Sequence, residues 1–160
     1  MNASERQALL EEELLLVRHS GEIPEVALHA SLHYLRDDAD GPGLQLAAQE
    51  IQALEAGVIA RYQEIILRDL NADNRTLSMF RGIRRANHNW YRFVRFSDKI
   101  GLSHQEFRDR AANALLHYLQ VALIERKRDS EIPAVNCLSE ALVTFAIALG
   151  IEEDRLPENW

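Results

Sequence analysis

The chain has 160 residues, of which 47% are hydrophobic and 27% are charged, and this balance excludes collagen-like, disordered and disulfide-scaffold proteins. Its 18 basic and 25 acidic side chains give a net charge of −7, which argues against bulk attraction to nucleic acid or to anionic lipid. The chain has a single cysteine, and its first residues are acidic where a signal peptide would be basic, so we predict a cytoplasmic protein. It has no apolar run of about 20 residues, so we predict that it does not span a membrane.

The predicted elements are helices, because apolar residues recur at intervals of three and four between the glycines and prolines. In chain order they lie at about residues 5–19, 24–35, 44–70, 77–98, 103–127 and 133–149. Ser4 and Gln7 are predicted to begin the first as a capping box, in which each side chain binds a free backbone N–H of the first turn. The third carries apolar residues spaced by seven, which is typical of a helix bundle. We therefore predict an all-α, single-domain bundle of five or six helices over residues 1–160.

The last predicted helix is apolar almost all round between Leu138 and Leu149, so we expect it to be the central, most buried helix. Residues 151–160, which follow it, are expected to form a loosely packed tail. A second copy of the chain could instead cover the apolar helix, with Trp160 in the contact. Self-association as a dimer therefore stays open.

The fourth predicted helix contains the most unusual segment, residues 81–96, with five arginines, four aromatic residues and no acid. The rest of the chain carries 13 basic and 25 acidic side chains, a balance of −12, so the charge of the molecule is strongly polarised. At about 100° per residue, the five arginines and one histidine fall on a single narrow face, with Tyr91 and Phe96 at its edges. The predicted contact surface consists of Arg81, Arg84, Arg85, His88, Tyr91, Arg92 and Arg95.

We call the five arginines and His88 the arginine stripe. Like charges three and four residues apart disfavour a helix, so an anion should compensate them. The compensating anion could come from three sources: acidic segments of the same chain such as 11–13 and 152–154, an acidic partner protein, or the phosphates of RNA or a nucleotide. Alternatively, the stripe is a plain solvated face with no specific anion. Because the chain is acidic overall, we favour a non-enzymatic interaction or regulatory protein that contacts an acidic partner. RNA or phosphate-ligand binding is the alternative.

Two spacings of arginine and histidine suggest a further alternative. Arg81 and His88, and likewise Arg110 and His117, enclose six residues, which resembles the motif of the helical HEPN ribonucleases. The resemblance implies that His88 or His117 activates a ribose hydroxyl while the arginine stabilises charge on the phosphate. No other part of the chain is similar to that family, so ribonuclease activity is the lesser alternative.

The sequence predicts no metal, no cofactor and no catalytic residue. Glu25, His29 and His33 share one face of the second predicted helix, and two histidines four residues apart can bind one metal ion. A di-metal carboxylate bundle needs Glu-x-x-His pairs, however, and the chain has none, so we interpret these histidines as boundary residues. Cys137 lies on the most apolar helix, where a thiol is usually inert, and no nucleotide-binding glycine motif occurs.

Overall fold

The computed structural model describes residues 1–18, 46–71, 79–128 and 136–156, and all regular elements within these ranges are helical. The helices are α1 at Ala3–Arg18, α2 at Ala48–Asp69, α3 at Met79–Ile100, α4 at Gln105–Arg128 and α5 at Asn136–Ala148, with a 3-10 turn at Glu153–Arg155. The prediction of an all-α helical bundle is confirmed. The second predicted helix, with Glu25, His29 and His33, lies outside the described residues, and so does Trp160.

The capping box of α1 is made by Asn2 and Glu5, two residues earlier than predicted. Asn2 Oδ1 accepts a hydrogen bond from the Glu5 backbone N–H at 2.8 Å, and the Glu5 carboxylate accepts one from the Asn2 N–H at 3.1 Å. Two free donors of the first turn are thereby satisfied reciprocally. Gln7 joins two segments, since its Oε1 accepts a hydrogen bond from the Leu46 N–H at 3.0 Å.

The helix with the most neighbours among the described elements is α2, which packs against α1, α3 and α4. Its buried apolar residues form one continuous stripe, as the spacing by seven predicts: Ile51, Leu54, Val58, Tyr62, Ile65 and Ile66. The ring of Tyr62 lies against Phe93 and Phe96 of α3, with ring centroids 5.6 and 6.0 Å apart. Burying side chains of this size contributes about 1.5–3 kcal/mol each, so this contact is a main support of α3.

The apolar face of α3 is buried at Ile83, Ala86, Trp90 and Phe93, as its periodicity predicts. Phe96 was expected to flank the arginine stripe at the surface, but it is 0% exposed and packs against Tyr62. The difference arises because α2 crosses α3 on the side of Phe96 and extends the core around that edge of the helix. The buried face of α3 is therefore wider than its own sequence indicates.

Helix α5 packs on α3 with one face, and its other face is exposed in the part of the chain that the structure describes. Leu142, Phe145, Ala146 and Leu149 are buried, whereas Val143 and Ile147 are 39% and 67% exposed. The helix predicted to be buried all round is thus buried on one side, because α2 takes the position among the other helices. No helix in the described part of the chain is long and apolar enough to cross a membrane.

Candidate binding site on the arginine stripe

The structure divides the arginine stripe into an edge that faces α2 and an edge that faces away from it. On the helical projection, Arg85 and Arg92 lie on the same side as the buried Phe96, whereas the other described side chains of the stripe lie on the opposite side. The backbone of Arg81 belongs to α3, but its side chain is outside the described part. The two edges have different surroundings.

On the edge towards α2, Arg85 is paired with Asp69, the last residue of α2. Arg85 Nε and Nη2 lie 3.3 and 3.1 Å from Asp69 Oδ1. The Asp69 side chain is 5% exposed while that of Arg85 is 58% exposed, so the pair closes the carboxylate off from solvent. At Gly82 the helices approach closely, since a Cβ there would lie 3.0 Å from the Asp69 carbonyl oxygen. The chain itself therefore supplies the counter-charge for Arg85.

Arg92, on the same edge, is half-buried beside a hydrogen bond that joins α1 and α2. The Tyr62 hydroxyl donates this bond to Glu13 Oε2 at 2.5 Å. Burial and then the bond to Glu13 raise the pKa of Tyr62 well above its usual value, and the Arg92 guanidinium beside the hydroxyl opposes the rise. Arg92 Nη2 is buried and has no hydrogen-bond partner among the described residues. Arg92 thus belongs to a buried polar cluster with Tyr62 and Glu13.

The opposite edge presents Arg84, His88 and Arg95, all exposed, together with Tyr91, which is 64% exposed. We call these four residues the exposed edge. Within the ranges that the structure describes, none of the three basic side chains has a hydrogen bond or an ion pair. Guanidinium and imidazole groups in this state can bind an anion without first losing a partner.

A cavity of about 490 Å³ lies beside the exposed edge, bordered by α3, the start of α4 and α5. Arg84, His88 and Tyr91 line it from α3, and Arg108 adds a further basic side chain from α4. The volume lies within the range of about 300–1,000 Å³ that is usual for ligand pockets. None of the residues that line the cavity is acidic.

The remaining lining residues of the cavity are largely apolar. Trp90 and Val94 of α3 and Ala148 of α5 provide apolar wall, and Asn87 and Thr144 add uncharged polar groups. The cavity therefore combines an apolar surface with basic groups, which favours a ligand that has both an apolar part and a negative charge.

The Arg108 guanidinium lies over the end of α5, next to Gly150. Gly150 has a φ of 73° and terminates α5 in a Schellman motif, in which the Gly150 and Ile151 N–H groups donate to the carbonyls of Ile147 and Ala146, both at 2.9 Å. A Cβ at Gly150 would lie 2.7 Å from Arg108 Nη2. Only glycine meets both demands, a left-handed backbone and the close guanidinium. The negative end of the α5 dipole also favours a cation here.

His104 completes the lining where α4 begins. Its carbonyl accepts a hydrogen bond from the Arg108 N–H at 2.8 Å, and its ring stands edge-on to Trp90, with centroids 5.9 Å apart and an interplanar angle of 81°. The Nδ1 atom is buried and lacks a hydrogen-bond partner in the described structure. A buried polar atom without a partner costs about 1–3 kcal/mol, so a ligand that reached it would gain affinity.

Of the contact residues predicted from the sequence, Arg84, His88 and Tyr91 line the cavity. The other lining residues were not among them: Asn87, Trp90, Val94, His104, Arg108, Thr144 and Ala148. One signal was present, since His104 and Arg108 are four residues apart and share a helix face. Arg110 and His117 of the ribonuclease-like spacing are exposed on α4, and neither lines the cavity.

No metal site is apparent in the described ranges, where no three histidine, cysteine, aspartate or glutamate side chains are placed to hold a metal ion. The candidate ligands Glu25, His29 and His33 lie outside these ranges. The groups that the described site offers are therefore guanidinium, imidazole, phenol and amide groups.

Comparison with known proteins identifies a family for this chain. A family model described as "Repeat of unknown function (DUF7826)" matches residues 5–151, which include all residues that line the cavity. No curated protein and no solved structure matches the chain. The family description names no ligand and no partner.

Proposed function

We propose that this chain, which belongs to the DUF7826 family of repeats of unknown function, is a non-enzymatic binding module that holds an acidic protein segment at the exposed edge of its arginine stripe. One observation carries the proposal: three exposed basic side chains without described partners lie with an exposed tyrosine beside a cavity that no carboxylate lines. Arginine and tyrosine are among the residues that contribute most to binding energy at protein interfaces.

The charge distribution supports an acidic partner. Outside residues 81–96 the chain has a balance of −12, so a negatively charged segment is repelled by most of the surface and attracted by this one. Complementary charge of this kind sets orientation and raises the association rate more than it raises affinity. The exposed edge therefore favours specific docking over general adhesion.

Binding is favoured over catalysis because of what surrounds His88. This histidine is exposed and makes no hydrogen bond within the described residues that would orient it as a general base. The arginine of the ribonuclease-like spacing, Arg81, has its side chain outside the described residues. The groups of the exposed edge suit recognition of an anion rather than its chemical conversion.

The test compares two double charge reversals by fluorescence polarisation with a labelled peptide of aspartate and glutamate. Arg84→Glu with Arg95→Glu should weaken binding at least tenfold. Arg68→Glu with Arg110→Glu is the control, because both residues are exposed, neither lines the cavity, and the net charge changes equally. An equal loss in both double variants would show that general charge, and not the exposed edge, controls binding.

A labelled oligouridine of the same charge tests the alternative of RNA binding. Counterion release makes such binding fall steeply between about 50 and 200 mM salt. If the wild-type chain binds the RNA more tightly than the acidic peptide, RNA binding replaces the proposed function.

A further inference from the structure

We infer that the cavity is an anchor pocket that takes one apolar side chain, preferably aromatic, from an acidic segment whose flanking carboxylates pair with Arg84 and Arg108. This inference rests on the proposed function and specifies the chemistry of the partner segment. The exposed edge supplies attraction for any acidic chain, and the pocket would select among acidic chains.

The apolar wall carries the first step of the argument. Trp90, Val94 and Ala148 line a space of about 490 Å³, which is large enough for an aromatic side chain. A fully solvated anion such as phosphate would leave this wall uncovered and gain nothing from it. A ligand that fits the whole cavity must therefore bring an apolar group as well as a charge.

The placement of the two guanidinium groups carries the second step. Arg84 comes from α3 and Arg108 from α4, so a segment that crosses the cavity meets an arginine from each helix. The guanidinium of Arg108 lies close to Gly150, at the end of α5. Guanidinium groups bind carboxylates in a two-pronged geometry. Carboxylates on both sides of the apolar anchor match this arrangement.

The surface beyond the cavity is also suited to an extended segment. Tyr91 is 64% exposed on α3, and Val143 and Ile147 are exposed on α5 next to the lining residues Thr144 and Ala148. Exposed apolar groups at the mouth of a pocket provide contact area for residues that flank the anchor. The occupant is therefore expected to be a peptide segment and not a free small acid.

The experiment uses two five-residue peptides, capped at both ends, in which phenylalanine or alanine is flanked on each side by aspartate and glutamate. We expect the wild-type chain to bind the phenylalanine peptide at least tenfold more tightly by isothermal titration calorimetry. Ala148→Trp fills the cavity and should abolish this preference while charge-driven binding remains. Ala56→Trp on α2, also an exposed helical alanine, is the matched control and should keep the preference. Thr144→Trp is a second blocking variant in case Ala148→Trp does not fold.

Each outcome decides the inference. Equal affinity for both peptides in the wild-type chain overturns the anchor pocket but leaves the proposed function intact. A preference for phenylalanine that persists in both blocking variants places the anchor elsewhere and overturns the inference as well. Binding of free 3-phenylpropanoate as tightly as of the phenylalanine peptide would identify a small carboxylate as the occupant instead of a segment. Absence of binding to either peptide contradicts the proposed function itself.

Discussion

Charge reversal should destabilise the fold strongly at Arg92 and hardly at all at Arg84. Arg92→Glu places a carboxylate beside the hydrogen bond from Tyr62 to the buried Glu13, so two negative charges would face each other where one was compensated. Placing an unpaired charge in a partly buried position is among the most destabilising single substitutions, and we take about 3 kcal/mol for Arg92→Glu. Arg84 is exposed and has no described ion pair, so its reversal should change the free energy of unfolding by about 0.5 kcal/mol or less.

The assay is urea and thermal unfolding followed by circular dichroism at neutral pH. For a chain of this length each kcal/mol shifts the Tm by about 2–4 °C, so Arg92→Glu should lower it by roughly 6–12 °C and Arg84→Glu by less than about 2 °C. Arg92→Met keeps much of the side-chain volume without charge, and it should fall between the two because it removes the attraction without adding repulsion. Equal losses in Arg84→Glu and Arg92→Glu would refute the division of the stripe into a structural and an exposed edge.

Two further predictions concern the supports of the site. Tyr62→Phe removes the donor to Glu13 and should cost about 1–3 kcal/mol in urea unfolding. Because the pKa of Tyr62 is raised on folding, the stability from its neutral hydroxyl is present below pH ~10 and is lost as pH rises further. The difference in unfolding free energy between the wild type and Tyr62→Phe should therefore shrink above pH ~10. A difference that widens there would contradict the role given to the Tyr62 hydroxyl. Gly150→Ala imposes a φ of 73° on alanine and displaces Arg108, so unfolding stability should fall by about 1–2 kcal/mol and affinity for the acidic phenylalanine peptide should fall with it. Unchanged peptide affinity in a destabilised Gly150→Ala variant would show that the position of Arg108 is irrelevant to binding.

The helices themselves were predictable, because apolar spacing and turn residues are local properties of the sequence. The observed bounds of α2 and α3 lie within four residues of the predicted ones. Which helix lies among the others was not predictable from composition. The high apolar content of α5 indicates that much of its surface should be buried, but it does not indicate how many helices pack against it. Val143 and Ile147 remain exposed in the described structure.

The site was predictable only as far as one helix determines it. The helical projection correctly gathers the basic side chains of α3 on one side, but it cannot say which neighbour crosses each edge. Since α2 crosses on the side of Phe96, the arginines at that edge meet Asp69 and Tyr62, and those at the other edge do not. The spacing of Arg108 to His104 could not place Arg108 at the cavity, because that position depends on where α5 ends near Arg108.

The division of the stripe also accounts for why so many arginines occur on one helix. Arg85 and Arg92 are seven residues apart, about 10 Å along the axis, and both contact α2, one through Asp69 and the other beside Tyr62. Two polar contacts along one edge of a helix restrict the rotation of the helix about its own axis, because polar contacts are directional. Apolar packing is not directional and restricts this rotation less. The rotation of α3 decides whether Arg84 and His88 border the cavity or turn away from it. We therefore expect that a substitution at Asp69, the partner of Arg85, weakens binding of the acidic peptide at the exposed edge even though Asp69 does not line the cavity.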